Sequence, residues 1–236
     1  MSQTVATQDV SRVISPNDAM YEPEWSEAYF EIGKRSLRAV RLALELAGIE
    51  PKRILDLPCG HGRGLRWLTT LGVEIVACDL DRDAVDFCAG EFGATPLYSE
   101  PDPDDIPLEG HFDLITSGSL FTHFDAPMWP RFLNLFAEHL SGVLVFSTGG
   151  EYFAKDIRFW LAKRQGLGEE RADQLLESYE RTGFGYAAYP KRPHYGLARA
   201  KPSWVLALLD RLHLKVVHFA EAGWDGWQDV YACVKR

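Results

Sequence analysis

The chain has 236 residues, 46% of them hydrophobic and 25% charged, and its formal net charge is −9. This length and composition fit one α/β domain with an elaboration, or two small domains, with enough apolar residues for a sizeable core. The acidic balance argues against a nucleic-acid-binding surface as the main function. No apolar run reaches the roughly 20 residues of a membrane span, and the polar N-terminus does not resemble a secretion signal. We therefore expect a cytoplasmic protein that does not act in the membrane.

Cysteine usage points to the same compartment. The four cysteines form no Cys-x-x-Cys pair and have no zinc-ligand spacing with histidine. We expect reduced thiols, no disulfide framework and no metal site.

Helices and strands alternate along the first half of the chain. After a polar segment at 1–23, expected to be mobile or draped over the domain, apolar residues at helical spacing predict a helix over 24–47. The predicted strands are 53–57, 73–79, 94–99, 112–117 and 142–148, and the helices between them are a short one ending near 70, 83–92 and 127–140. This alternation predicts a mainly parallel sheet covered on both faces.

The pattern changes after the fifth strand. Residues 150–202 are predicted to form two helices, over 151–165 and 169–182, and an aromatic, proline-rich loop over 184–196. A helix over 203–212 and two strands, 214–220 and 228–234, complete the chain, and consecutive strands without a helix between them pair antiparallel. We expect a main domain of 24–149 and 203–236, with 150–202 inserted as a helical, aromatic cap over the substrate.

The most informative stretch is ILDLPCGHGRG, from Ile54 to Gly64, where a buried strand runs into a glycine-rich turn before a helix. Such a turn lets a ligand approach the backbone closely. A dinucleotide-binding fingerprint needs G-x-G-x-x-G, and that spacing fails at Leu65. A phosphate-binding loop needs Lys followed by Ser or Thr, and this chain has Arg66 and Trp67.

A cationic nucleoside fits the turn better. S-adenosylmethionine carries a sulfonium and an ammonium group, and Asp56, at the end of the first strand, suits its amino-acid end. Asp79 ends the second strand, where a carboxylate can accept two hydrogen bonds from a ribose diol. Glu100 follows the third strand, where it could meet the adenine amino group.

These residues carry a family resemblance. Leu55, Asp56, Gly60 and Gly62 match most of the hydrophobic-x-D-x-G-x-G-x-G motif of the class I S-adenosylmethionine-dependent methyltransferases. Pro58 departs from it, and D-x-P-C-G-x-G is similar to a variant branch of that family. The likeness covers roughly 25–148 and 203–236, and it implies a Rossmann-like sheet of seven strands.

The resemblance, with an aromatic cluster ahead of the first strand that includes Tyr29, gives the expected cofactor site. Its residues are Tyr29, Asp56, Pro58, Cys59, Gly60, Gly62, Asp79, Leu80, Asp81, Glu100, Ser117 and Gly118. Leu80 and Asp81 would flank the adenine, and the fourth strand would end at Ser117 and Gly118 beside the transferred methyl group. Tyr29 could be a lid residue or ordinary helix packing.

The acceptor side is less specific in sequence. His123 follows the fourth strand, and its imidazole could take a proton from a hydroxyl or amine, or it could be a structural histidine. Aromatic and cationic residues in 150–202 suit an acceptor with a flat or sugar-like face and an acidic group, or else simply stabilise a helical cap. The candidate substrate residues there are Tyr152, Tyr186, His194 and Tyr195.

The sequence thus predicts an enzyme that transfers a methyl group to an oxygen or nitrogen of a small molecule by in-line displacement. We expect a monomer or homodimer, with no nucleic-acid or membrane partner. Two alternatives remain open: a non-catalytic sensor or scaffold that binds S-adenosylmethionine, and, disfavoured by the glycine spacing, an NAD-dependent oxidoreductase.

Overall fold

The computed structural model describes residues 10–154, 167–190 and 192–236. Its strands are β1 (Arg53–Asp56), β2 (Glu74–Asp79), β3 (Thr95–Tyr98), β4 (Phe112–Ser117), β5 (Leu140–Thr148), β6 (Phe184–Tyr189), β7 (Arg192–Ala200), β8 (Leu214–Ala220) and β9 (Asp229–Lys235). Seven of them form one sheet in the order β3-β2-β1-β4-β5-β9-β8. β1 to β5 pair parallel, whereas β9 runs antiparallel to β5 and β8. The predicted mainly parallel sheet with an antiparallel C-terminal hairpin is therefore confirmed.

The helices follow from capping and apolar periodicity. They are α1 (Ser26–Ala47), α2 (Leu65–Leu68), α3 (Arg82–Phe92), α4 (Met128–His139), α5 (Glu151–Ala154), α6 (Glu169–Thr182) and α7 (Pro202–Arg211). The Asp81 carboxylate accepts the N–H groups of Asp83 and Ala84 and so caps α3. α1 ends at Gly48 and α3 at Gly93, both in the left-handed conformation that favours glycine.

The core consists of two apolar layers, one on each face of the sheet. Residues of α1, α2 and α3, such as Val40, Leu65 and Val85, pack on one face. α4 and α7 cover the other, where Trp129 and Leu209 are fully buried. Both faces of the parallel strands are covered, so the strands carry nearly continuous apolar runs and their carboxyl ends are the edge left for a site.

The insertion differs from its prediction. The proline-rich loop predicted over 184–196 is wrong, because β6 and β7 form an antiparallel hairpin there. Pro190 lies in the turn after β6, Pro193 lies within β7, and the register shifts between Ala188 and Tyr189, so the hairpin forms with an irregularity near the prolines. α6 confirms the helix predicted over 169–182, while of the helix predicted over 151–165 only α5 lies within the described residues.

The N-terminal segment from residue 10 is draped over the glycine-rich turn. The buried guanidinium of Arg66 donates from Nη1 to the carbonyl oxygens of Ser11 (2.8 Å) and Val13 (3.1 Å), and from Nε to that of Gly62 (3.1 Å). One buried side chain thus joins this segment to the turn.

No helix within the described ranges is long and apolar enough to cross a membrane.

Candidate cofactor and acceptor site

The glycine-rich turn has two glycines with different tasks. Gly60 (φ +47°) and Gly62 (φ +77°) both lie in the left-handed region. A Cβ at Gly60 would have no atom within 4 Å, whereas one at Gly62 would lie 2.3 Å from the Phe92 ring. Gly60 therefore leaves open space beside the turn, and Gly62 allows the turn to pack on α3.

Pro58 and Cys59 lead into this turn. The Leu57–Pro58 peptide bond is cis. The Cys59 N–H donates to the carbonyl oxygen of Cys78 (2.9 Å), which ties the turn to β2. A hydrogen bond with the Cys88 thiol, together with burial, raises the pKa of the Cys59 thiol, so this cysteine is a packing residue and not a reactive nucleophile.

Asp79 joins the end of β2 to the turn. Its Oδ2 accepts the Gly60 N–H (2.8 Å), and its Oδ1 accepts the Asp81 N–H (3.0 Å). Burial raises the pKa of its carboxyl. Each carboxylate oxygen has a second lone pair, so this geometry leaves acceptors for a diol at the carboxyl edge of the sheet.

Asp56 is a buried acid one strand away. Thr116 Oγ1 donates to Asp56 Oδ1 (2.6 Å), which orients the carboxyl at the end of β1. Burial, with the negative charge of Asp79 adding to it, raises the pKa of Asp56 to about 7. A cation bound here would favour the ionised form, so the site is suited to an ammonium group.

The residues expected around an adenine lie beyond Asp79. The apolar Leu80 side chain is 58% exposed, and Asp81 is committed to capping α3. Glu100 is exposed after β3. Two of its acidic neighbours, Asp102 and Asp104, pair with Arg131 instead.

Tyr29 lies under the draped N-terminal segment. Its ring is 3% exposed, and its hydroxyl donates to Asp18 Oδ2 (2.6 Å). The Tyr21 ring packs edge-on against it, with centroids 5.3 Å apart. Burial raises the pKa of Tyr29, so it remains a neutral hydroxyl that holds the segment in place.

At the end of β4, Ser117 is fully buried and Gly118 is covered by an indole ring. A Cβ at Gly118 would lie 2.7 Å from Trp224, so only glycine allows this contact. The next residue, Ser119, donates its N–H to Ser147 Oγ (2.8 Å), which connects the ends of β4 and β5.

His123 is held in one tautomer. Its Nδ1 lies 2.8 Å from the carbonyl oxygen of Gly196. A carbonyl can only accept, so Nδ1 carries the hydrogen and Nε2 keeps its lone pair. Burial lowers the pKa of His123, which leaves the ring neutral at pH 7. The Tyr195 ring stacks on it at 4.4 Å, and Tyr189 lies at 6.3 Å.

The four candidate substrate residues of 150–202 do not form one cluster. Tyr195 stacks on His123, and burial, with smaller contributions from Tyr189 and Asp79, raises the pKa of its hydroxyl to about 12. Tyr186 lines a groove of about 390 Å³ on β6 and α6. Tyr152, 48% exposed, packs near Trp227. The His194 side chain lies outside the described residues.

Sequence reasoning missed a buried polar cluster at the carboxyl end of β5. It comprises Thr148, Tyr179, Arg199, Asp229 and Tyr231, each at most 2% exposed. These residues come from four elements far apart in sequence, β5, α6, β7 and β9, so no local motif could reveal them. The one local signal is the pair Gly149 and Gly150, which follows β5 where larger side chains would collide with Arg199 and Asp229.

Comparison with known proteins identifies the family of the chain. A model of the methyltransferase domain family matches residues 29–188. A fatty-acid O-methyltransferase of Mycolicibacterium smegmatis is 26% identical over 132 residues, covering 54% of this chain and 45% of that protein. A probable phthiotriol/phenolphthiotriol dimycocerosates methyltransferase of Mycobacterium ulcerans is 33% identical over 116 residues, covering 48% and 42%. The chain thus spans less than half the length of these curated relatives.

Solved structures share the fold. The magnesium protoporphyrin IX methyltransferase of Synechocystis PCC 6803, with bound S-adenosylhomocysteine, superposes with a TM-score of 0.61 at 13% identity, covering 92% of this chain and 89% of that one. The family model covers more than half of this chain and includes Asp56, Gly60 and Asp79. The chain therefore belongs to the methyltransferase domain family, the class I methyltransferases whose cofactor is S-adenosylmethionine.

Proposed function

We propose that this protein transfers a methyl group from S-adenosylmethionine to an oxygen or nitrogen of a small molecule by in-line displacement. The observation that carries the proposal is the set formed by Asp56, the open turn at Gly60, and Asp79, with the unprotonated Nε2 of His123 on the same edge of the sheet. S-adenosylmethionine supplies an electrophilic methyl group on a sulfonium. The chain's own residues have to bind the methyl donor, orient the acceptor and remove the acceptor's proton.

The donor side fits the cofactor by charge and by shape. Asp56 accepts from the ammonium group, and Asp79 accepts from the ribose hydroxyls with the lone pairs that the turn leaves unused. The open space at Gly60 admits the methionine part. Leu80 offers an apolar surface to the adenine, and Glu100 accepts from its amino group.

The acceptor side combines orientation with proton removal. His123 Nε2 takes the proton of an acceptor hydroxyl or amine, since its other nitrogen is committed to the Gly196 carbonyl. The stacked Tyr195 ring supplies a flat wall beside it. Residues 150–202 act as the cap that excludes water, and the orientation they give accounts for much of the rate. We expect a monomer or homodimer.

Binding of two nucleosides tests the donor side. Titration calorimetry with S-adenosylhomocysteine and with adenosine, which lacks the amino-acid part, distinguishes the roles of Asp56 and Asp79. Asp56→Asn should weaken S-adenosylhomocysteine and leave adenosine unchanged, whereas Asp79→Asn should weaken both, by about tenfold or more (about 1.4 kcal/mol). The absence of S-adenosylhomocysteine binding by folded protein would refute the proposal.

Turnover tests the transfer itself. The protein should form S-adenosylhomocysteine from S-adenosylmethionine only when an acceptor is present, in a panel of alcohols, phenols, amines and carboxylates. Tight cofactor binding with no turnover across the panel would instead indicate a binding module. A change in NADH fluorescence on mixing would favour an oxidoreductase.

A further inference from the structure

The buried polar cluster at the carboxyl end of β5 is built from several elements. Thr148 ends β5 and lies opposite Asp229, the first residue of β9. Tyr231 follows on the same face of β9, next to Thr148. Tyr179 comes from α6, and burial raises the pKa of its hydroxyl, with the charges of Glu151, Glu180 and Asp229 adding to the rise and that of Arg199 opposing it.

Two polar atoms of this cluster, Tyr179 Oη and Asp229 Oδ2, have no hydrogen-bond partner within the described part of the chain. Among the same described residues, the neighbouring hydroxyls of Thr148 and Tyr231 have only each other. An unsatisfied buried polar group costs about 1–3 kcal/mol, and native proteins hold few of them. A buried carboxylate oxygen and a buried phenol without partners, beside the acceptor edge of the sheet, indicate a site made to hydrogen-bond a ligand.

The two glycines after β5 let the backbone pass close to the cluster. A Cβ at Gly150 would lie 1.9 Å from Asp229 Oδ2, and one at Gly149 would lie 2.5 Å from Arg199 Nη1. The backbone therefore runs directly along both charged groups. No side chain from this linker can cover them.

The charges around Asp229 select the ligand. Its Oδ1 accepts the Ala222 N–H (3.0 Å), so Oδ2 is the oxygen left for a donor. Glu221 and Glu151 lie close enough that their charges, with burial, raise the pKa of Asp229 to about 6. The cation in the cluster, Arg199, is faced by Tyr179, Tyr189 and Asp225, and donates to the Ala198 carbonyl.

The geometry points to a subsite for the polar head of the methyl acceptor, in which Asp229 accepts a hydrogen bond from a hydroxyl or amine and the hydroxyls of Thr148 and Tyr179 complete its coordination. This inference rests on the proposed methyl transfer and narrows its acceptor. A carboxylate head is disfavoured, because it would bring a fourth negative charge towards Asp229, Glu151 and Glu221.

Three probes that differ only at the head group test the subsite. They are 2-phenylethylamine, 2-phenylethanol and 3-phenylpropanoate, whose ring suits the His123 and Tyr195 wall. Binding to the protein loaded with S-adenosylhomocysteine is measured by saturation-transfer NMR and calorimetry. The amine and the alcohol should each bind about tenfold or more tightly than the carboxylate.

Variants test whether the cluster causes the preference for the amine and the alcohol over the carboxylate. Asp229→Asn keeps the side-chain shape and should reduce amine affinity about tenfold while relieving the exclusion of the carboxylate. Thr148→Val and Tyr179→Phe each remove one hydroxyl of the cluster, and they provide the same test if Asp229→Asn does not fold. Asp210→Asn, an exposed carboxyl on α7 paired with Arg236, is the matched control and should change nothing.

Three results would overturn the subsite: tighter binding of the carboxylate, binding of none of the probes by protein that binds S-adenosylhomocysteine, or unchanged probe affinities in all three cluster variants. These measurements need no turnover. Methylation of carboxylates alone would leave methyl transfer to oxygen standing and reject the subsite. A preference for the amine, with no methylation of any oxygen or nitrogen compound, would leave the subsite standing and reject the proposed methyl transfer.

Discussion

The two left-handed glycines of the turn should fail in different ways when each is replaced by alanine. Left-handed backbone costs a residue with a Cβ about 1–2 kcal/mol at either position. At Gly62 the new methyl would also lie 2.3 Å from Phe92 Cε2 and 3.2 Å from Cys88 Sγ. Overpacking of this kind adds about 1–3 kcal/mol, so Gly62→Ala should lower the free energy of unfolding by about 2–5 kcal/mol.

Gly60→Ala should be the milder change for stability and the more severe one for function. Its Cβ would meet no atom within 4 Å, so only the backbone term of about 1–2 kcal/mol applies. The same methyl would project into the space proposed for the cofactor. We expect S-adenosylhomocysteine affinity to fall about tenfold or more, beyond the effect of Gly62→Ala.

Urea unfolding and titration calorimetry on both variants measure the two quantities. The double variant Gly62→Ala/Phe92→Leu removes the ring that the methyl would strike and should recover part of the lost stability. The reasoning is refuted if Gly60→Ala is the more destabilising variant, or if it binds S-adenosylhomocysteine as the unmodified protein does.

Four further predictions concern titration and the draped segment. Because the pKa of Asp56 is raised from 3.8 to about 7 in the folded protein, its contribution to the free energy of unfolding should fall as pH rises through that range. Binding of S-adenosylhomocysteine should release a proton below pH 7, seen by calorimetry in buffers of different ionisation enthalpy and lost in Asp56→Asn. His123→Asn should lower kcat by about 10²-fold or more for a hydroxyl acceptor. It should also remove an acidic limb of the kcat/KM profile, which lies below pH 6.5 because burial lowers the pKa of His123. An unchanged pH profile would reject His123 as the general base. Arg66→Met should lose the bonds to Ser11, Val13 and Gly62, and limited proteolysis should then cut the N-terminal segment faster than in Arg66→Lys; equal rates would contradict this.

The sequence alone determined the sheet and the edge of the sheet at which the proposed donor site lies. Apolar strands alternating with capped helices can pack in few ways, so strand number, direction and the final hairpin followed from local patterns. Asp56 and Asp79 each end a strand, and parallel strands bring their carboxyl ends to one edge. Their proximity was therefore predictable from position along the chain.

Only the tertiary structure decided the acceptor side. The prolines of 184–196 indicate a loop locally, but the segment pairs as the β6–β7 hairpin. β7 also donates backbone N–H groups to the carbonyl oxygens of Thr122 and His123, which are long-range bonds. The same contact places the Gly196 carbonyl against His123 and so selects its tautomer. The cluster around Asp229 draws on β5, α6, β7 and β9, which meet only when the insertion folds back on the sheet. Contacts between residues so distant in sequence depend on packing, which leaves no periodic signal along the chain.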